Sequence, residues 1–317
     1  MDTKDLGRKL DALTVKVDKN VQLENYTHTK TGGEVAAVFY PENKEQLIES
    51  IKFCRENRLK FEILAGMTNV AIASGTLDFM VINMQRFNVK EPKLTGRKLT
   101  VSASYKMKDL TIWGLKNRVR DLAWMEGIPG TIGAGIFMNA GFLSGQDMAH
   151  LVLDVKYLNT DTFEIKTISN KEINFKYRFS DFQNLNCVIL EATLLVAPVY
   201  GMKHSYMRML KSKRLIKKYH NRRVHNQPLE LPSAGTVFVP PTPYHVGGML
   251  RELGLVGFRQ GGAQISKKSP GFIVGIDNMT GEHYADMVEF IKNKVFENYG
   301  VQLETEVRLL GFNGTKR

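Results

Sequence analysis

The densest chemical signal in the chain is the string GIPGTIGAGIFMNAG at residues 127–141, where Gly127, Gly130, Gly133, Gly135 and Gly141 fall within fifteen residues. Glycine lets backbone N–H groups approach an anion and takes positive φ where a phosphate-cradling turn needs it. The string is not a GxGxxG turn following a strand, and it lacks the Lys-Ser/Thr end of a P-loop. On pattern alone, an anion-binding loop and a plain glycine-rich turn are equally open. A second stretch, LPSAGTVF at 231–238, places Thr236 directly after a small Ser-Ala-Gly turn. Such a turn is either architecture or a device that presents one hydroxyl to a reactant. The two cysteines, Cys54 and Cys187, lie far apart in apolar surroundings and read as free thiols, with no metal or disulfide framework.

Composition narrows the classes. The chain has 317 residues, 43% hydrophobic and 24% charged, enough for two or three globular domains. No run is apolar enough for a membrane span, and the polar N-terminus lacks a signal-peptide core, so a cytoplasmic protein with no membrane partner is expected. The net charge of +12 is uneven: no Asp or Glu occurs from Ala192 to Leu229. The segment KHSYMRMLKSKRLIKKYHNRR reads as a basic helix with a ragged apolar stripe of Tyr206, Met209, Leu210 and Ile216. It is a solvated helix face, a source of field for anionic ligands, or a polyanion-binding surface. Zinc spacing and aromatic RNA-binding signatures are lacking, so no nucleic-acid partner is expected.

The elements that must position these residues are mixed. The first ~20 residues read as a helical leader. ENKEQLIESIKFCREN is a helix with Leu47, Ile48, Ile51 and Cys54 on one face. KFEILAG, DFMVIN and KLTVSASY read as strands, and residues 150–169 as a hairpin turning at Asn159–Thr162. CVILEATLLVAP is a buried strand closed by Pro198. Later come a strand TVFVP, a short helix HVGGMLRELG, a strand GFIVGI, and a long helix with Tyr284, Met287, Val288, Ile291 and Val295 inward. VQLETEVRLL alternates and is expected as the last strand. There is no regular βαβ rhythm, so the class is α+β, with a boundary at Pro198–Gly201.

In combination the motifs resemble one family. GIPGTIGAGIFMNAG, NYTHTKTGG (25–33), YRFSDF (177–182), RRVHNQPLELPSAGTVF (222–238), GLVGFRQGGAQIS (254–266) and TEVRLLG (305–311) occur in the order found in UDP-N-acetylenolpyruvoylglucosamine reductases, the MurB family. The nearest variant has a short middle domain and is common in Gram-positive bacteria. The resemblance implies a vanillyl-alcohol-oxidase/PCMH-type FAD fold with two α+β subdomains, residues 1–83 and 84–198, and a C-terminal α+β substrate domain, residues 199–317. It implies bound FAD, NADPH as co-substrate, a UDP-sugar substrate, a monomer and no metal. The reaction implied is reduction of UDP-N-acetylglucosamine enolpyruvate to UDP-N-acetylmuramate for peptidoglycan.

Residue by residue, the resemblance puts Arg178 of YRFS and Glu306 of TEVR at the substrate carboxylate, where charge builds as hydride adds. Thr236 falls where the family has a proton-donating serine. The FAD contacts implied are Gly66, Met67, Thr68 and Asn69 of AGMTN, and Gly127, Ile128, Pro129, Gly130, Thr131, Gly133, Asn139, Ala140 and Gly141. The substrate contacts implied are Arg222, Gln227 and Lys267, with Arg223 and Lys268 also available. The chain departs from the family at Thr236, Val239, Pro240, Asn226, Ser269 and Gly275, and Ala65 and Met67 are heavier than the usual turn residues. Those departures keep a second reading open, an FAD-binding paralogue with altered or lost enolpyruvyl reductase activity.

Overall fold

The computed structural model describes residues 3–143, 145–198 and 202–312, with the side chains of residues 3, 4 and 202–208 outside that description. The boundary expected at Pro198–Gly201 thus falls partly on residues 199–201, outside the described residues, as does the side chain of Tyr206.

Helix α1 (Thr3–Asp11) leads into strand β1 (Lys16–Gln22) and strand β2 (Glu34–Tyr40). The helical leader is therefore shorter than expected. Only Val21 of β1 is buried, so this strand leaves no alternating pattern to read. Helix α2 (Lys44–Glu56) is capped by Asn43, whose side chain accepts from Gln46 N. It buries Leu47, Ile51 and Cys54 as expected, together with Ser50 and Phe53, while Ile48 is half-buried. Strands β3 (Lys60–Leu64), β4 (Val70–Ile72) and β5 (Phe79–Asn83) follow. The sheet order is β1-β2-β5-β3, with Val38 opposite Val81 in a parallel β2–β5 pair.

Next come β6 (Lys93–Thr95), β7 (Lys98–Ser102), α3 (Met107–Lys116), α4 (Ile132–Phe137), β8 (Gly141–Leu143), β9 (Gln146–Asp147), β10 (Val152–Asn159), β11 (Ile165–Ser169) and β12 (Cys187–Leu195). Five of them form an antiparallel sheet, β11-β10-β12-β7-β6. The β10–β11 hairpin turns where expected, because Asn159 Oδ1 accepts from the N–H groups of Asp161 and Thr162. Helix α3, absent from the sequence reading, buries Met107, Leu110, Thr111 and Gly114.

Helix α5 (Met202–Asn226), β13 (Ser233–Thr236), α6 (Val246–Glu252), β14 (Arg259–Gln260), β15 (Ala263–Ile265), β16 (Phe272–Gly275), α7 (Gly281–Tyr299) and β17 (Arg308–Leu310) complete the chain. A third sheet runs β13-β16-β15-β14, and β17 pairs in parallel with β4. Helix α7 buries Tyr284, Met287, Val288, Ile291 and Val295, as its periodicity predicts.

Two of the expected strands shift. The strand read as TVFVP is SAGT instead. Ser233 faces Val274 and Thr236 faces Phe272, so β13 carries one extra residue, a bulge at Gly235 with φ 88°. The strand read from VQLETEVRLL shrinks to Arg308–Leu310, because the segment changes partner: Thr305 bridges Phe238 antiparallel before Arg308 joins Val70 in parallel.

The chain divides into two compact units. Unit 1 comprises residues up to Asp18, Val38–Gly66 and Met80–Arg223; unit 2 comprises Lys19–Ala37, Met67–Phe79 and Val224 onward. One core, around Leu99, Leu110, Met125, Ile132, Val155 and Phe182, lies in unit 1. A second, around Phe238, Leu250, Ile265, Tyr284 and Ile291, lies in unit 2. Both mix helix and sheet, an α+β architecture.

Candidate active site

In unit 1 the glycine string folds as a turn, a short helix and a strand start. Gly130 sits at φ 116°, a conformation that favours glycine. Thr131 caps α4, accepting from Ala134 N. The later glycines serve packing: a Cβ at Gly133 would stand 2.8 Å from Ala103 Cβ, and one at Gly141 would stand 2.6 Å from Gln146 O. Gly133 N is already committed to Ala103 O at 2.8 Å. The string therefore has two jobs. Gly133, Gly135 and Gly141 let backbone and side chains pack closely, while the segment Gly127–Thr131 holds the unusual turn.

The far end of the string is tied to YRFSDF. Asn139, itself at φ 42°, donates through Nδ2 to Lys176 O and accepts from Ala149 N. Met148 N donates to Ala140 O. Ser180 Oγ and Gln183 Nε2 both donate to Phe137 O. Arg178 is half-buried at φ 53°, stacks on Tyr177 with 4.7 Å to the ring centroid, and donates through Nη2 to Gly141 O at 3.0 Å. The fold thus brings Arg178 to the glycine string although 37 residues separate it from Gly141.

In unit 2 three motifs are stitched together around Thr236. Glu306 N donates to Val237 O at 2.8 Å, and Glu306 O accepts from Asn69 Nδ2 at 2.8 Å. Glu306 is 9% exposed. Asn69 therefore ties the AGMTN turn to the acidic residue, which is tied in turn to the residue after Thr236. NYTHTKTGG supplies the scaffold: His28 N donates to Met67 O, and Ser233 N donates to His28 O. Thr29 and Thr31, both buried, share a hydrogen bond and also bind Val70 O and Ile72 N. Met67 is buried at φ 48°, a backbone setting that costs a non-glycine residue about 1 kcal/mol. Gly66, the last residue of its unit 1 segment, and Thr68 are half-buried. Thr236 is exposed, and its methyl packs 3.7 Å from the position a Cβ would take on Gly271.

Arg222 is exposed on α5, Gln227 is half-buried after that helix, and Lys267 is exposed with its aliphatic chain against Gly257. Lys268 is engaged, donating to Val224 O at 2.8 Å beside Glu230.

Comparison with known proteins gives the lineage. Residues 227–310 match the model for the C-terminal domain of UDP-N-acetylenolpyruvoylglucosamine reductase, and residues 35–166 match an FAD binding domain. The reductase of Lactobacillus helveticus is 35% identical over 297 residues, 94% of this chain and 96% of that one. The reductase of Enterococcus faecalis is 34% identical over 312 residues, 98% and 99% of the two chains. The chain belongs to the UDP-N-acetylenolpyruvoylglucosamine reductase family. The crystal structure of the Thermus caldophilus reductase, MurB, shares the fold with a TM-score of 0.76 at 22% identity, covering 93% of this chain and 99% of that one.

The residues present fit the FAD that this reductase family uses. Beside the glycine string, two buried acceptor oxygens, Glu126 Oε2 and Gln146 Oε1, lack a hydrogen-bond partner among the described residues. Buried polar atoms in a native fold are nearly all partnered, so these two leave acceptors to be met by water or by a donor-bearing ligand beside the string. Glu126, Gln146 and His220 escaped the sequence reading of the site, which offered Arg223 only as a further substrate contact. Glu126 and His220 pair across 94 residues, and no local spacing reports a contact of that range. Among the described residues no helix is long and apolar enough to cross a membrane.

Proposed function

We propose that this flavoenzyme of the reductase family uses NADPH to reduce UDP-N-acetylglucosamine enolpyruvate to UDP-N-acetylmuramate, a step of peptidoglycan precursor synthesis. The observation that carries it is the linkage in unit 2 of the AGMTN turn, Glu306 and the SAGT bulge through Asn69 Nδ2 and Glu306 N. Nothing in the comparisons favours the paralogue with lost activity.

In this assignment Gly66–Asn69 and the string from Gly127 to Gly141 hold FAD, which when bound supplies the hydride relay from NADPH to the enolpyruvyl carbon. Residues 1–83 and 84–198 are the flavin-binding subdomains and residues 199–317 the substrate domain. As hydride adds to an enol ether conjugated with a carboxylate, negative charge builds on that carboxylate. Arg178, held by Gly141 O and the Tyr177 ring, is the fixed cation that stabilises it. Glu306 assists at the same group. Thr236 donates the proton to the other carbon, and the bulge at Gly235 aims its hydroxyl. Arg222, Gln227 and Lys267 contact the diphosphate. A monomer in the cytoplasm, without nucleic-acid partners, belongs to the same proposal. Size-exclusion chromatography and a mobility assay with bulk DNA check the monomer and the absence of a polyanion partner.

The test is an anaerobic flavin spectrum. NADPH is expected to bleach the flavin band, and the enolpyruvyl UDP-sugar to restore it promptly. Bleaching without reoxidation would overturn the substrate assignment, and a protein that takes up no FAD would overturn the flavin assignment.

A further inference from the structure

Helix α5 carries much of the chain's positive charge, yet its C-terminal half is not simply a solvated face. Tyr219 is buried, and its hydroxyl accepts from Gln146 Nε2 at 2.8 Å. Its ring meets Phe142 edge to face, with centroids 5.4 Å apart. The neighbouring His220 places Nδ1 2.9 Å from Glu126 Oε1. One turn further on, Arg223 crosses Gly127: a Cβ at Gly127 would lie 3.5 Å from Arg223 Cδ and 3.6 Å from the Phe142 ring. Tyr219, His220 and Arg223 therefore all address the segment from Glu126 to Gln146, which contains the glycine string.

Glu126 is the odd member of this group. Glutamate is almost never this buried unless paired, and Glu126 is 8% exposed. Its hydrogen-bonded partner is the His220 imidazole, whose side chain is 56% exposed. The Arg223 guanidinium lies within its field: burial lowers the Arg223 pKa, and the charge of Glu126 acts in the opposite direction. Glu126 also stands immediately before Gly127, so whatever it holds is held at the first residue of the loop.

We propose that Glu126 is a positioning residue of the flavin loop, acting through α5: its carboxylate holds Arg223 and His220 over Gly127 and so keeps the loop in the shape that binds FAD. The inference rests on the assignment of this loop to FAD and deepens it. It also gives part of the basic segment a task inside the enzyme. The Arg223 chain and the Phe142 ring both lie within van der Waals reach of the Cβ position of Gly127. Gln146 and Tyr219 form a second fastening of the same helix to the far side of the loop.

The experiment uses the full chain stripped of FAD and retitrated while flavin fluorescence is followed. Glu126→Gln keeps the shape and removes only the charge. It is expected to raise the FAD dissociation constant about tenfold, a size ordinary for coupled neighbours. Arg223→Gln is expected to do the same, and the double variant to bind no worse than the poorer single. Arg223→Lys, which keeps a cation on an aliphatic stem, is expected to bind FAD within about twofold of wild type. The melting temperature of the FAD-free protein is expected to be the same in wild type and Glu126→Gln. Wild-type affinity in Glu126→Gln, or single effects that multiply in the double variant, would overturn the proposal. So would a melting temperature that falls in step with affinity, which would make Glu126 merely structural. A wild-type protein that takes up no FAD would remove the flavin assignment itself, and this inference with it.

Discussion

At the scale of single residues, Thr236 decides how the departure from a serine is read. A threonine hydroxyl is as weak an acid as a serine hydroxyl, so the difference lies in the methyl and the stiffer χ1. The structure seats that methyl 3.7 Å from the Cβ position of Gly271, a neighbour with no side chain to resist it. Thr236→Ser is therefore expected to leave turnover unchanged or raise it slightly, while Thr236→Ala lowers kcat by about 10²–10⁴-fold, the range for a lost proton donor. Steady-state rates with the enolpyruvyl UDP-sugar check both, and an active Thr236→Ala would move proton donation elsewhere. Arg178 makes the complementary case. Its guanidinium is pinned between Gly141 O and the Tyr177 ring, a geometry that a lysine cannot reproduce. Arg178→Lys is expected to lower kcat about tenfold or more with KM little changed, because the contact tightens only as charge develops. An unchanged kcat would refute that role.

At the scale of elements, the glycine string shows what the sequence could and could not say. Its density was legible, and so were helices α2, α5, α6 and α7 and the β10–β11 hairpin, because periodicity and turn chemistry are local. The division of labour within the string was not legible, since it depends on Ala103 and Gln146, residues brought up by the fold. Gly133→Ala tests that division. Its Cβ would meet Ala103 Cβ at 2.8 Å and Ala103 O at 3.2 Å, and neither atom is a flexible chain end. A loss of about 1–3 kcal/mol in chemical denaturation is expected from this overpacking, and wild-type stability would show that the strand and loop separate freely. The short β13 and β17 were misread for a related reason. Alternation in VQLETEVRLL promised one ladder, but Thr305 and Arg308 serve different partners on different strands. A similar tie anchors α7. Burial pushes the Glu282 carboxyl up, but hydrogen bonds from the Ser74 hydroxyl and N–H pull it down further, and it ends below its usual value. The group contributes stability above the ordinary glutamate range, and that contribution is lost as pH falls through its lowered value. Glu282→Gln is expected to cost no more than about 1 kcal/mol at neutral pH, since the pair is exposed, and to flatten the acid limb of a stability–pH curve. An acid limb identical to wild type would discount the tie.

At the scale of the whole molecule, the net charge of +12 meets a chemistry in which every diffusing reactant is an anion. NADPH and the UDP-sugar both carry phosphates, and the long stretch without Asp or Glu from Ala192 to Leu229 concentrates positive potential on α5 and the segment after it. A field of this sign raises the encounter rate of anions and is screened by salt, with a Debye length near 10 Å at 0.1 M. It does not act on substrate already bound. Raising ionic strength from about 20 to about 200 mM is therefore expected to lower kcat/KM for NADPH and for the UDP-sugar several-fold while leaving kcat nearly constant. Replacing the exposed Lys217 and Lys218 of α5 by glutamine should shrink that salt dependence without changing the FAD dissociation constant, because the residues of α5 that reach Glu126 and Gly127 are His220 and Arg223 instead. If kcat/KM is flat with salt, the basic helix contributes nothing to substrate capture, and its charge matters only where it is fastened to the flavin loop.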